Sequence, residues 1–117
     1  MILDSKLQLK PGQTLAVLFA AFDPQFEAEN ADASVADVVL VFVRSPAQLA
    51  ERAHYVTDAL ARGSSAWVAY PKTRQMGTDF NREILQRLMA ERDADAVRHI
   101  TLNDNWAVTR FEKLPAA

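Results

Sequence analysis

The chain has 117 residues, half of them hydrophobic and 24% charged, proportions that predict one folded α/β domain over residues 1–117 rather than a disordered chain. A formal net charge of −2 predicts no nucleic-acid partner, because that binding needs dense Lys and Arg. The absence of cysteine excludes disulfides and thiolate metal sites and fits a cytoplasmic protein. No apolar run approaches the roughly 20 residues that cross a bilayer, so no membrane partner is expected.

The opening residues, Met1 to Lys6, lack the apolar core of a signal peptide. Lys10-Pro11-Gly12-Gln13 reads as a turn, and the apolar run 14–20 after it as a strand buried on both faces. Asp23-Pro24 has the chemistry of a brief helical turn, inside an acidic connection that runs to Ala36. Residues 37–43, β-branched and nearly all apolar, form the clearest strand.

Ser45 then caps a helix with Pro46 in its first position, and Leu49, Ala53, Val56 and Leu60 fall on one face of it. Gly63 supplies the C-cap. A third buried strand, 66–70, ends at Pro71. After a polar loop from Lys72, Thr78 caps a second helix that buries Phe80, Ile84 and Leu88, with Leu85 beside them. His99 opens an alternating strand, 99–103; Asn103-Asp104-Asn105 is turn chemistry, and 106–111 completes an antiparallel hairpin. Residues 114–117 read as a frayed tail. The alternation of strand and helix predicts a small, mostly parallel five-stranded sheet with two main helices and this C-terminal antiparallel hairpin.

Two resemblances attach to these stretches. Asp37-Val38-Val39-Leu40-Val41-Phe42-Val43-Arg44-Ser45, Trp67-Val68-Ala69-Tyr70-Pro71-Lys72, Thr78-Asp79-Phe80-Asn81-Arg82-Glu83 and Asp104-Asn105-Trp106 resemble signature stretches of an uncharacterised bacterial family, a domain of unknown function. That resemblance implies no activity. Lys10-Pro11-Gly12-Gln13, Ala36-Asp37-Val38-Val39-Leu40 and Gly63 before Trp67-Val68-Ala69-Tyr70-Pro71 resemble strand regions of Rossmann-like S-adenosylmethionine methyltransferases. By that analogy the strand order is 1-2-3-5-4. The glycine-rich turn that brings backbone close to such a cofactor is missing, since the first strand leads into Phe19-Ala20-Ala21-Phe22-Asp23, and no cofactor is expected.

Ligands of open α/β sheets sit at the carboxyl edge of the parallel strands. Arg44 and Ser45 follow the second strand, Lys72 and Arg74 the third, and Thr78 and Arg82 the start of the second helix. Together they compose a candidate site for a small anion, using helix N–H groups and basic side chains. As ordinary residues they are solvated loops and caps. Asp79, Arg82 and Glu83 read first as acids and a base of a normal helix start.

His54, one turn before Asp58, and His99 complete no metal or catalytic motif. Ser64-Ser65 precede a strand instead of forming a nucleophile elbow. Trp67 and Trp106 are expected to pack on the sheet; an exposed Trp106 beside Asp104 and Arg110 would instead mark an interface.

These features favour a non-catalytic binding or interaction module, its partner a small anion or another protein. A minimal methyltransferase-like enzyme working near Lys72, Asp79 and Arg82 is the alternative. A homodimer through an exposed edge strand or the hairpin is a third reading.

Overall fold

The computed structural model describes residues 7–20, 26, 28–72 and 82–113. Its strands are β1 (Thr14–Leu18), β2 (Glu29–Asn30), β3 (Val38–Phe42), β4 (Ser65–Pro71), β5 (Ala94–Thr101) and β6 (Trp106–Lys113). Its helices are α1 (Pro46–Ala61), between β3 and β4, and α2 (Arg82–Ala90), between β4 and β5.

The six strands form one mixed sheet in the order β2-β1-β3-β4-β6-β5. β1 pairs in parallel with β2 and β3, and β3 with β4; β6 pairs antiparallel with both β4 and β5. This corrects the expected five-stranded, mostly parallel, Rossmann-like sheet of order 1-2-3-5-4 in two respects. Glu29–Asn30 adds an edge strand with both side chains exposed, so its pairing with β1 is made by backbone and leaves no apolar signal. The hairpin is also longer than its apolar pattern, because β5 begins at Ala94 rather than at His99. Its two strands, of 8 residues each, outrun the 5-residue β1 and β3, and antiparallel pairing is therefore a major part of the sheet.

Alternating side chains divide the core between two faces. Val39, Val41 and Val43 point to one face with Ala66, Val68 and Phe111, where Leu49, Ala53, Val56 and Ala59 of α1 and Leu85 and Met89 of α2 cover them. Val38, Leu40 and Phe42 point to the other with Trp67, Trp106 and Val108, under Leu7, Leu102 and the partly buried Leu9, Phe26 and Ala28. Both described helices lie on one face. The doubly wound pattern would put helices on both.

α1 starts and stops where cap chemistry places its ends. Ser45, extended at φ −151, accepts the Gln48 N–H on its hydroxyl, with Pro46 next. Gly63 follows the last turn at φ +84, donating to Leu60 O at 3.1 Å. α2 buries Leu85 and Met89 most deeply, with Ile84 and Leu88 at the margin, in place of the expected Ile84–Leu88 face. Phe80 and Thr78 lie outside the described residues. β1 stops at Leu18 rather than at Ala20, because Phe19 turns into the left-handed region at φ 59.

Candidate functional site at the strand carboxyl ends

After β1 the chain runs outward to the edge strand β2, whereas after β3 it passes through α1 to β4 on the other side. Adjacent strands whose connections leave in opposite directions open a crevice at their carboxyl ends. A pocket of about 220 Å³ lies there, lined by Phe19, Ala20, Phe42, Arg44, Gln48, Arg52 and Trp106.

Arg52, half-buried on α1, donates from Nη1 to Phe42 O at 2.8 Å and to Gln48 Oε1 at 3.5 Å. Its guanidinium carbon stands 4.0 Å from the Phe19 ring centroid, and Phe19 meets Tyr55 edge-on at 5.8 Å. Arg44 is exposed; its N–H donates to Gln48 Oε1 at 2.8 Å, and its guanidinium carbon lies 5.6 Å from the Trp106 ring centroid. Phe42 meets Trp106 edge-on at 5.2 Å. Both guanidiniums are thus set against aromatic rings. The ring and the two oxygens that hold Arg52 are neutral.

Of the described residues expected to compose the anion site, Arg44 alone lines this pocket, beside Trp106, which the sequence marked for packing or an interface. Ser45 uses its hydroxyl for the α1 cap. Lys72, half-buried, continues β4 and donates its backbone N–H to Asn105 O at 2.9 Å. Arg82 is exposed at the first position of α2. Arg74, Thr78 and Asp79 lie outside the described residues. Gln48 and Arg52 escaped the sequence reading, although they stand four residues apart on one stripe of α1. Phe19 left no signal, because only its positive φ and the fold bring it to Arg52.

Trp106 is only 4% exposed, which removes it as an exposed interface residue. His54 is exposed, its ring 4.1 Å from that of Tyr55. Ser64 donates its hydroxyl to Ala36 O at 3.0 Å, a structural tie between β4 and the segment before β3. His99 is half-buried under α2, with Nε2 2.7 Å from Gln86 Nε2 and Nδ1 2.8 Å from Thr109 Oγ1. Burial, and then the charge of Arg82, hold its pKa below the usual histidine range. Among the described residues no group of three or more His, Asp or Glu could hold a metal ion, and no helix is long and apolar enough to cross a membrane.

No protein-family model matches the chain, and no curated protein matches it either.

Proposed function

We propose that this protein is a binding module that takes a small oxyanion in the pocket between the carboxyl ends of β1 and β3. The observation that carries this reading is Arg52: its charge is positioned by Phe42 O, Gln48 Oε1 and the Phe19 ring, none of which neutralises it. A guanidinium fixed in this way is pre-organised for a carboxylate or phosphate, and Arg44 adds a second charge at the same pocket. Phe19, a bulky residue at φ 59, supports the reading, since backbone strain of this kind concentrates at ligand sites.

Binding is favoured over catalysis by the pocket's chemistry. Its described lining has no carboxylate, imidazole, thiol or hydroxyl to move a proton or attack a substrate. Its size of about 220 Å³ is below the roughly 300–1,000 Å³ of sites for drug-sized ligands, which favours a small anion over S-adenosylmethionine. At the sheet edge, β5 carries a bulge between Ala96 and Arg98 and exposed charges at Asp95 and Arg98, features that discourage strand addition there.

The test uses a Trp67→Phe background, which leaves Trp106 as the sole tryptophan and a reporter at the pocket wall. Phosphate, sulfate and small carboxylates are titrated while its fluorescence is followed. A saturable change that Arg52→Gln abolishes is the expected result. A flat titration, or one that Arg52→Gln leaves intact, would refute the assignment.

A further inference from the structure

Arg52 and Phe19 each leave one part unused at the pocket. The Arg52 Nη1 is engaged with Phe42 O and Gln48 Oε1. Its Nε and Nη2 have no acceptor among the described residues, and neither is buried. These two nitrogens present their N–H groups side by side along one edge of the guanidinium. That edge is the fork that takes two oxygens of a carboxylate or a phosphate.

Phe19 is 47% exposed, so burial does not offset the outlying backbone of a bulky residue at φ 59. Its ring is nevertheless held: the Arg52 guanidinium lies over one face at 4.0 Å, and Tyr55 meets it edge-on at 5.8 Å. Among the described residues three large hydrophobic side chains are exposed, Phe19, Val35 and Val97. Phe19 is the aromatic one of the three, and it lines the pocket. A fixed apolar ring left open beside a charged fork suits a ligand that carries both kinds of group.

We infer that the oxyanion is the head group of a small aromatic acid. Its carboxylate or phosphate takes the Nε–Nη2 fork of Arg52, and its ring lies against Phe19. This rests on the oxyanion pocket proposed above and names the class of ligand that fills it. An aromatic ring gains more from Phe19 than a saturated one of equal size, because offset or edge-to-face ring pairs add to the area they bury. The volume agrees. One benzene ring occupies an apolar cavity of about 150 Å³, and a water-sized group takes about 30 Å³. A pocket of about 220 Å³ therefore has room for one ring and one acid group.

Affinities are read from the Trp106 indole N–H signal of the ¹⁵N-labelled full-length protein, the indole signal that persists in Trp67→Phe. Benzoate is titrated against acetate and cyclohexanecarboxylate, and phenyl phosphate against inorganic phosphate. At least one aromatic acid is expected to bind about tenfold more tightly than its ring-free parent, with cyclohexanecarboxylate between benzoate and acetate. Which of the two gains tells whether the head group is a carboxylate or a phosphate. Phe19→Asn removes the ring but suits a left-handed backbone, and it should bring the ratio of aromatic to ring-free affinity close to one. Aromatic acids that bind no more tightly than acetate and phosphate would overturn the inference and leave the oxyanion pocket standing. So would cyclohexanecarboxylate binding as tightly as benzoate, or a ratio unchanged in Phe19→Asn. No response to any of the five, or responses that Arg52→Gln leaves intact, would remove the pocket and the inference together.

Discussion

His99 and Thr109 face each other across β5 and β6, and the imidazole Nδ1 lies 2.8 Å from the Thr109 hydroxyl oxygen. On the far side of the ring the Gln86 amide nitrogen donates to Nε2 at 2.7 Å, and the Thr109 hydroxyl donates to the Tyr70 hydroxyl at 3.5 Å. The relay ties α2 to β5, β6 and β4, and it is complete only for the neutral imidazole that carries its proton on Nδ1. Protonation at Nε2 would set a second N–H against the Gln86 amide.

Acidification should therefore weaken the fold through His99. Its folded pKa lies below the usual value of 6.5, chiefly from burial and then from Arg82. Once the pH falls below about 6.5, the unfolded chain binds more protons at this site than the folded one, and stability declines until the folded pKa is passed. Urea midpoints measured from about pH 7.5 down to 5 should fall more steeply for the wild type than for His99→Gln. Parallel curves would show that His99 contributes nothing to the pH dependence.

Thr109→Val keeps the shape of a side chain that is 0% exposed but leaves the His99 Nδ1–H without its acceptor. An unsatisfied buried donor costs about 1–3 kcal/mol, and the variant should lose that much in equilibrium unfolding. Thr109→Ser, which retains the hydroxyl, should recover part of the loss.

Asp37 joins the starts of β1 and β3. Its Oδ2 accepts from Thr14 N at 2.9 Å and from Thr14 Oγ1 at 3.3 Å, and its own N–H donates back to Thr14 Oγ1 at 3.1 Å. Asp37→Ala breaks this exchange at an exposed position, where about 1 kcal/mol of stability is expected to go. Asp37→Asn should lose less, because an amide oxygen still accepts. Equal losses in both variants would mean that the carboxylate's hydrogen bonds do not contribute.

Gly63→Ala isolates a backbone effect. At φ +84 nothing lies within 4 Å of an added Cβ, so no clash is created. The left-handed conformation by itself should cost about 1–2 kcal/mol, measured by chemical denaturation. A neutral substitution would show that the α1 terminus can end differently.

Local chemistry shows clearly where it repeats at short range. Ser45-Pro46 and Gly63 bound α1 because a cap needs only neighbouring residues, and 38–42 reads as a strand because its β-branched run is buried on both faces. β5 read from His99 onward and not from Ala94, since the five residues before His99 include two exposed charges, Asp95 and Arg98, and a bulge beside Val97, which is 44% exposed. The pocket was half visible. Arg44 stood out at a strand end, but Arg52 reaches the same pocket from the second turn of α1 and Phe19 from another strand.

The sequence by itself determined that this chain alternates strands and helices, where α1 begins and ends, and that a hairpin closes it, because propensity, capping and turn chemistry act between near neighbours. Only the tertiary structure decided the edge position of β2, the placement of both described helices on one face, and the meeting of Phe19 with Arg52. Each of these depends on which strands lie side by side, and pairing between distant segments is made by backbone hydrogen bonds that carry no residue signature.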